Sequence, residues 1–295
     1  MEETGIIRES KFKTYLVFTK FRLSALVILS AISGYLFAGG SSLKELTFLV
    51  LGGILVTAAS NGANQIWEQD LDKLMNRTNK RPLPKGLMTS NEAFWVVIIS
   101  LIVGASLLYL INLKSALLGI FAFVSYVFIY TPMKQKTPWA VLVGAFPGAI
   151  PPFLGAIAAT NEFGLLPGVL FFVQFTWQFP HFWAIAWILH EDYQKAGFYL
   201  LPSKSGKSKF SAFLVMVYSL ALIPFSLIPW LMGWCGNVTL VLASIIGILF
   251  FLYSYKLYLT CDDKDARKLM FASFVYLPII QFVYVFNRIE PLIPN

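Results

Sequence analysis

Nine apolar runs follow one another along this chain, each long enough to cross about 30 Å of hydrocarbon as a helix. They fall at about 16–38, 46–67, 92–112, 115–133, 139–159, 165–190, 211–232, 236–258 and 269–286. Only 13% of the residues are charged and 57% are hydrophobic, whereas a soluble domain carries about a quarter charged residues. The runs predict an all-α, polytopic membrane protein with nine transmembrane helices. Nothing between them is long enough for a second domain, so residues 1–295 are read as one domain.

The basic residues orient the helices. With the N-terminus in the cytoplasm, 20 of the 23 lysines and arginines fall on the inner side, and only Lys44, Lys114 and Arg288 fall outside. The N-terminal MEETGIIRESKFK lacks the apolar core and cleavage site of a signal peptide. A multi-pass protein of the plasma membrane is expected. Its net charge of +8 gathers beside the spans and so does not point to nucleic acid. Cys235 and Cys261 fall on opposite sides, which excludes a disulfide between them, and two histidines without a CxxC pair argue against structural zinc. Every chemically dense loop (68–91, 134–138, 190–210 and 260–268) lies on the cytoplasmic side. This pattern suggests a cavity open to the cytoplasm, suited to a substrate with a charged head and an apolar tail.

One stretch interrupts the apolar sequence: NQIWEQDLDKLMNRTNKRPLPKG, residues 64–86. Asn64, Glu68 and Asp72 are spaced by four and would share a helical face, while Asp70 would point away. Charges at the bilayer centre are costly, so the cluster belongs at the surface or along a polar cavity. Mg2+ takes oxygen ligands, often one or two carboxylates plus substrate phosphates, and Arg77 and Arg81 follow closely enough to hold phosphate oxygens. A salt-bridged solvated loop fits the spacing equally well.

Four other groups stand out. Tyr130 and Lys134 close the fourth run on one helical face, as a phosphate contact or as an interfacial anchor. Pro147, Pro151 and Pro152 lie among small residues in the fifth run, which reads either as a kinked cavity wall or as close packing. His181 sits in an aromatic run with Trp177, Phe179, Phe182, Trp183 and Trp187. An ionisable group at that depth is by default a site hypothesis, and a histidine bonded to a neighbouring helix is its alternative. Asp192 and Tyr193 would form a second acidic site facing the first. On residues alone an enzyme and a transporter both remain open. A transporter predicts inverted repeats, and none is visible in the sequence.

These residues resemble the intramembrane prenyltransferases of the UbiA superfamily, and within it the haem O synthases (protohaem IX farnesyltransferases). The resemblance covers Asn64, Glu68 and Asp72, the continuation MNRTNKRPLPKG, TKFR (19–22), YTPMK (130–134), the glycine–proline stretch 144–155, WQFPHFWAIA (177–186) and DYQKAGFYLLP (192–202). Three departures stand out: Phe21 replaces a usual proline, Ile188 and Leu189 replace one or two bases, and Ala196 replaces a second acid. The last is usual among haem O synthases. The resemblance implies a UbiA-like helical fold and transfer of a farnesyl group from farnesyl diphosphate to haem B, with Mg2+ as cofactor. It implies Asn64, Glu68, Asp72 and Asp192 as catalytic metal ligands and Lys20, Arg22, Arg77, Arg81 and Lys134 as the diphosphate clamp. Tyr130, Trp177, His181 and Tyr193 would contact substrate, with Gly144, Gly148 and Gly155 leaving room for a porphyrin. Membrane lipid, and haem A synthase or the terminal oxidase assembly, are the implied partners. Relatives that prenylate an aromatic acid or a chlorophyll-like ring are the alternative.

Overall fold

The structure, a computed structural model, describes residues 10–203 and 205–289; the side chains of Arg22 and Leu23 lie outside the description. It is all-α. A short α1 (Lys11–Phe18) precedes α2 (Phe21–Phe37) and α3 (Leu43–Trp67), which is followed by α4 (Gln69–Leu74). Next come α5 (Ser90–Tyr109) and α6 (Leu113–Val124), which runs through a π-helical turn (Ser125–Tyr130) into α7 (Thr131–Met133). The chain continues through α8 (Ala140–Thr160), α9 (Leu165–Ile188), α10 (His190–Lys195), α11 (Lys209–Ser226) and α12 (Ile228–Leu231), ending in α13 (Asn237–Thr260) and α14 (Asp263–Phe286).

Polar residues start these helices where the sequence leaves apolar ground. Ser42 and Thr89 accept hydrogen bonds from the amides of Glu45 and Glu92, and Asn112 does the same for Ser115 at the tight turn before α6. Seven helical segments among the described residues are long and apolar enough to cross a membrane. Two expected spans differ in character. The apolar part of α2 is only Ser24–Phe37. The 24-residue α9 has its apolar character diluted by Gln174, Gln178, His181, Pro167 and Pro180. Large apolar side chains such as Phe94, Ile99, Ile102, Phe121, Ile248 and Leu252 point outward, as a lipid-facing surface requires.

The helices form two groups. In one, α2 packs on α3, α3 on α5, α5 on α6, and α6 on α8; in the other, α9, α11, α13 and α14 pack in succession, with α14 returning to α9 and α2. Each group has its own buried core, and α8 serves both. Val141, Ala145 and Ala156 face the second core, while Ile150, Leu154 and Ala158 face the first. The α2–α8 contact is made backbone to backbone. A methyl group added at Gly34 would lie 2.1 Å from the Pro152 carbonyl oxygen, and one at Gly155 would lie 1.9 Å from that of Ala31.

The prolines of α8 belong to this packing. Pro152 has no N–H to give Gly148, so the Gly148 carbonyl would be orphaned in an apolar interior. Gln174 of α9 donates its side-chain amide to that oxygen at 2.8 Å. Gln178 donates to the Ala145 carbonyl at 2.9 Å, and Gln281 of α14 donates to Gln174 at 2.9 Å. Gly144, Gly148 and Gly155, expected to leave room for a porphyrin, are instead filled by Tyr130, Gln178 and the backbone of α2 respectively.

Candidate active site

A cavity of about 120 Å3 lies at one end of the bundle, where α2 begins and α3, α7 and α9 end. Its walls include Lys20, Asn64, Glu68, Asp72, Arg77 and Arg81, with Tyr126, Tyr130, Lys134, Tyr193 and Phe198. The sequence spacing placed three of these on one continuous helix. In the structure α3 stops at Trp67, and Glu68 stands between it and α4 at φ −98°, ψ 12°. The face survives the break because the backbone bonds still step by four: Glu68 N–H to the Asn64 carbonyl at 3.0 Å and Asp72 N–H to that of Glu68 at 2.8 Å. Asp70 is exposed and pairs with Lys73.

Both carboxylates in the cavity are held by cations. Lys134 Nζ donates to Glu68 at 2.8 Å, and Arg81 Nη1 bridges the two oxygens of Asp72 at 2.8 and 2.7 Å. Arg81 reaches Asp72 because the loop after α4 turns back on itself. Thr78 donates to the Asp72 carbonyl, and Met75 and Leu83 anchor the loop in buried positions. Burial works against the charge on Lys134, but Glu68 and the neighbouring tyrosines outweigh it and hold its pKa above the lysine range. Lys20 has the opposite balance. Withdrawal from water comes first, then the charges of Arg81, Lys134 and Arg77, and together they hold its pKa well below the ordinary value. Its backbone is also left-handed, at φ 50° and ψ 47°, a conformation that costs a non-glycine residue about 1–2 kcal/mol.

Asn64 is oriented by a neighbour that sequence reading passed over. The Thr131 hydroxyl donates its one proton to the Tyr126 carbonyl at 2.9 Å, so toward Asn64 it can only accept. The Asn64 amide nitrogen therefore faces Thr131 at 3.1 Å, and its carbonyl oxygen turns away from that bond. The π-helical turn makes this possible. There the Thr131 hydroxyl meets the carbonyl five residues back, and Tyr126, Tyr130 and Lys134, spaced by four, all line the cavity. Nothing in the apolar pattern of the fourth run announces that turn, although Tyr126 stands four residues before Tyr130.

Asp192 lies on α10 and, unlike Tyr193 beside it, is not among the residues lining the cavity. Its oxygens accept the backbone N–H groups of Asn76 at 2.8 Å and Arg77 at 3.1 Å, and Lys195 pairs with it at 3.1 Å. Burial raises its pKa, but the two amides and Lys195 overcome that and hold it below the usual carboxylate value. Arg77 then lies over the Tyr193 ring, 5.8 Å from its centre. The Arg22 side chain lies outside the described residues. Phe198 and Leu200, also unremarked in the sequence, close the cavity beside Lys134, whose carbonyl accepts the Tyr199 amide.

His181 and Trp177 are not among the residues lining this cavity. They stack on each other with centres 4.5 Å apart, packed against α14. Ser273 donates to the Met270 carbonyl and so accepts from His181 Nδ1 at 2.7 Å, which leaves the lone pair on Nε2.

The oxygen set suits a divalent metal. One amide carbonyl and two carboxylates converge on a cavity whose cations would take the phosphates of a metal-bound diphosphate. Among the described residues no three His, Cys, Asp or Glu side chains form a ready-made metal cluster.

Known proteins resemble this chain over most of its length. The protohaem IX farnesyltransferase of Cytophaga hutchinsonii is 46% identical over 283 residues, which span 95% of this chain and 99% of that one. A solved structure of digeranylgeranylglyceryl phosphate synthase superposes with a TM-score of 0.78 at 20% identity, covering 94% of this chain and 98% of that one. A UbiA homologue from Archaeoglobus fulgidus bound to GPP and Mg2+ superposes with a TM-score of 0.67 at 18% identity, covering 92% and 99%. The family model described as "UbiA prenyltransferase family" matches residues 27–276. The chain belongs to the UbiA prenyltransferase family.

Proposed function

We propose that this chain transfers the farnesyl group of farnesyl diphosphate to a vinyl group of haem B, forming haem O for a respiratory oxidase. The observation that carries the reading is the near-full-length identity to a relative named protohaem IX farnesyltransferase. The mixed acidic and basic cavity supplies the chemistry. Asn64, Glu68 and Asp72 are the residues that would hold Mg2+. Asp192 supports them through the Asn76–Arg77 backbone and through the acceptor position left on its Oδ2. A bound Mg2+ would supply charge neutralisation on the leaving diphosphate.

The chain's own residues do the rest. Lys20, Arg77, Arg81 and Lys134 gather at the phosphate oxygens. They stabilise the negative charge that grows as the allylic C–O bond breaks with its electron pair going to diphosphate. Tyr126, Tyr130 and Phe198 wall the cavity with aromatic rings that would stabilise positive charge at the allylic carbon and keep water from it. The vinyl π electrons form the new C–C bond, and water adds to the resulting haem cation and loses a proton. Tyr193 and Trp177 are assigned to the substrates. His181 is the proposed contact to haem iron through Nε2, since its Nδ1–H is held by Ser273 as a ligating imidazole's other nitrogen generally is.

The test is to incubate membranes containing the protein with haem B, farnesyl diphosphate and Mg2+ and to look for haem O by mass. Prenylation of a phenolic acid instead would move the assignment to the aromatic-acid enzymes. His181→Ala should shift the Soret band of bound haem B, and an unchanged band and affinity would remove His181 as a ligand. For orientation, nine spans with the N-terminus in the cytoplasm require reporter fusions after Lys85 to read cytoplasmic and after Asn161 to read external.

A further inference from the structure

The four described cations of the cavity fall into two kinds. Lys134 and Arg81 are bonded to Glu68 and Asp72, in pairs whose carboxylate side chains are 4% and 0% exposed. Lys20 and Arg77 line the same walls and make no ion pair with any described residue; Arg77 rests on the Tyr193 ring. We propose that Arg81 and Lys134 are internal counter-ions that keep Asp72 and Glu68 from a metal until a diphosphate draws the cations off, so that metal and diphosphate bind as one coupled unit. The proposal rests on the metal–diphosphate reading above and adds to it the order and coupling of binding.

The reasoning follows each charge through the exchange. A metal that took Glu68 and Asp72 alone would displace Lys134 and Arg81 and leave four cations crowded around a dication. A diphosphate that took Lys134 and Arg81 alone would leave two buried carboxylates unpaired beside its own negative charge. Either half-exchange strands charge where water is scarce, the situation that makes breaking a buried pair so unfavourable. Carried out together, the exchange gives every group a partner: carboxylate to metal, and guanidinium and ammonium to phosphate oxygen. Lys20 and Arg77 are the cations already available for first contact with the diphosphate. The lining holds four cations against two carboxylates, a positive excess that matches in sign the negative charge a diphosphate keeps after taking one divalent metal.

The experiment is calorimetry on detergent-purified protein, titrating Mg2+ with and without inorganic pyrophosphate, with free Mg2+ fixed by a metal buffer. Wild type should bind Mg2+ at least tenfold more tightly when pyrophosphate is saturating, within the usual range of coupling between two ligands. Arg81→Gln and Lys134→Met should bind Mg2+ alone about tenfold more tightly than wild type while binding pyrophosphate less tightly. Lys20→Met removes the same charge without freeing a carboxylate and should change Mg2+ affinity by less than about threefold, so that general Coulomb relief is controlled for. Equal wild-type affinity for Mg2+ with and without pyrophosphate would overturn the proposal, and that arm needs no substituted protein to fold. It would also be overturned if Arg81→Gln and Lys134→Met gained no more than Lys20→Met. Coupling seen without any haem product would refute the farnesylation reading and leave the exchange standing; haem O formed without coupling would do the reverse.

Discussion

Two long helices of this protein end in the same way and do different things. α3 breaks at Glu68 (φ −98°, ψ 12°) into the six-residue α4, and α9 breaks at Leu189 (φ −96°, ψ 14°) into the six-residue α10. In each, the residue four beyond the break, Asp72 or Tyr193, lines the charged cavity. The chemistry diverges from there. α3 and its continuation give three polar residues to the cavity, Asn64 before the break, Glu68 at it and Asp72 after it, while Gln65 serves the Phe18 carbonyl. α9 spends most of its own on the protein, with Gln174 and Gln178 serving carbonyls of α8 and His181 bonded to α14. A shared backbone device therefore supplies positions, and the side chains decide whether those positions bind a ligand or hold the bundle.

This division can be broken by experiment. The largest effect should come from Asp72→Asn, with turnover lower by about a thousandfold in protein that still folds in detergent, a loss measured on the folded fraction because the unpaired Arg81 lowers the thermal midpoint as well. Asp70→Asn should cost less than about threefold, because an exposed i,i+3 pair contributes little; equal losses at the two positions would mean that the face carried across Glu68 does not matter. Next comes Asp192→Asn, which keeps one acceptor but sets an N–H against a backbone amide. Its expected cost is about ten- to a hundredfold in kcat/KM for farnesyl diphosphate, the range for groups that support a metal's ligands. A loss as deep as that of Asp72→Asn would make the two hinges chemically alike. The smallest effect on turnover should follow Gln174→Leu, which leaves the Gly148 carbonyl without its donor. Stability should fall by about 1 kcal/mol, read as a lower midpoint, while kcat stays within about twofold. A large fall in kcat would place α9's glutamines among the catalytic groups.

The division also explains what the sequence could reveal. The apolar runs and the 64–86 interruption are strong signals, since lipid and charge tolerate few arrangements, and the structure places helices at each expected run. The repeated hinge is invisible. Its backbone angles suit almost any residue, and NQIWEQDLDKL, with three acidic residues, shares little with IAWILHEDYQK, with two, beyond length. Spacing by four identified Asn64, Glu68 and Asp72 although no single helix carries them. Thr131 escaped notice because its role depends on a proton donated to Tyr126 across a π-helical turn. Gly144, Gly148 and Gly155 were misleading for a related reason: a glycine shows that something comes close, and here the protein itself comes close.

The backbone contact between α2 and α8 has a consequence for how the molecule is made. α2 emerges from the ribosome more than a hundred residues before α8, yet Gly34 and Ala31 find their close partners only there. Until then the first core lacks Ile150, Leu154 and Ala158. Nascent chains released before α8 should therefore expose an unsealed seam to quality-control proteases. Completion of α8 is the event that closes the first half and founds the second, so maturation of this enzyme turns on one helix midway through its synthesis.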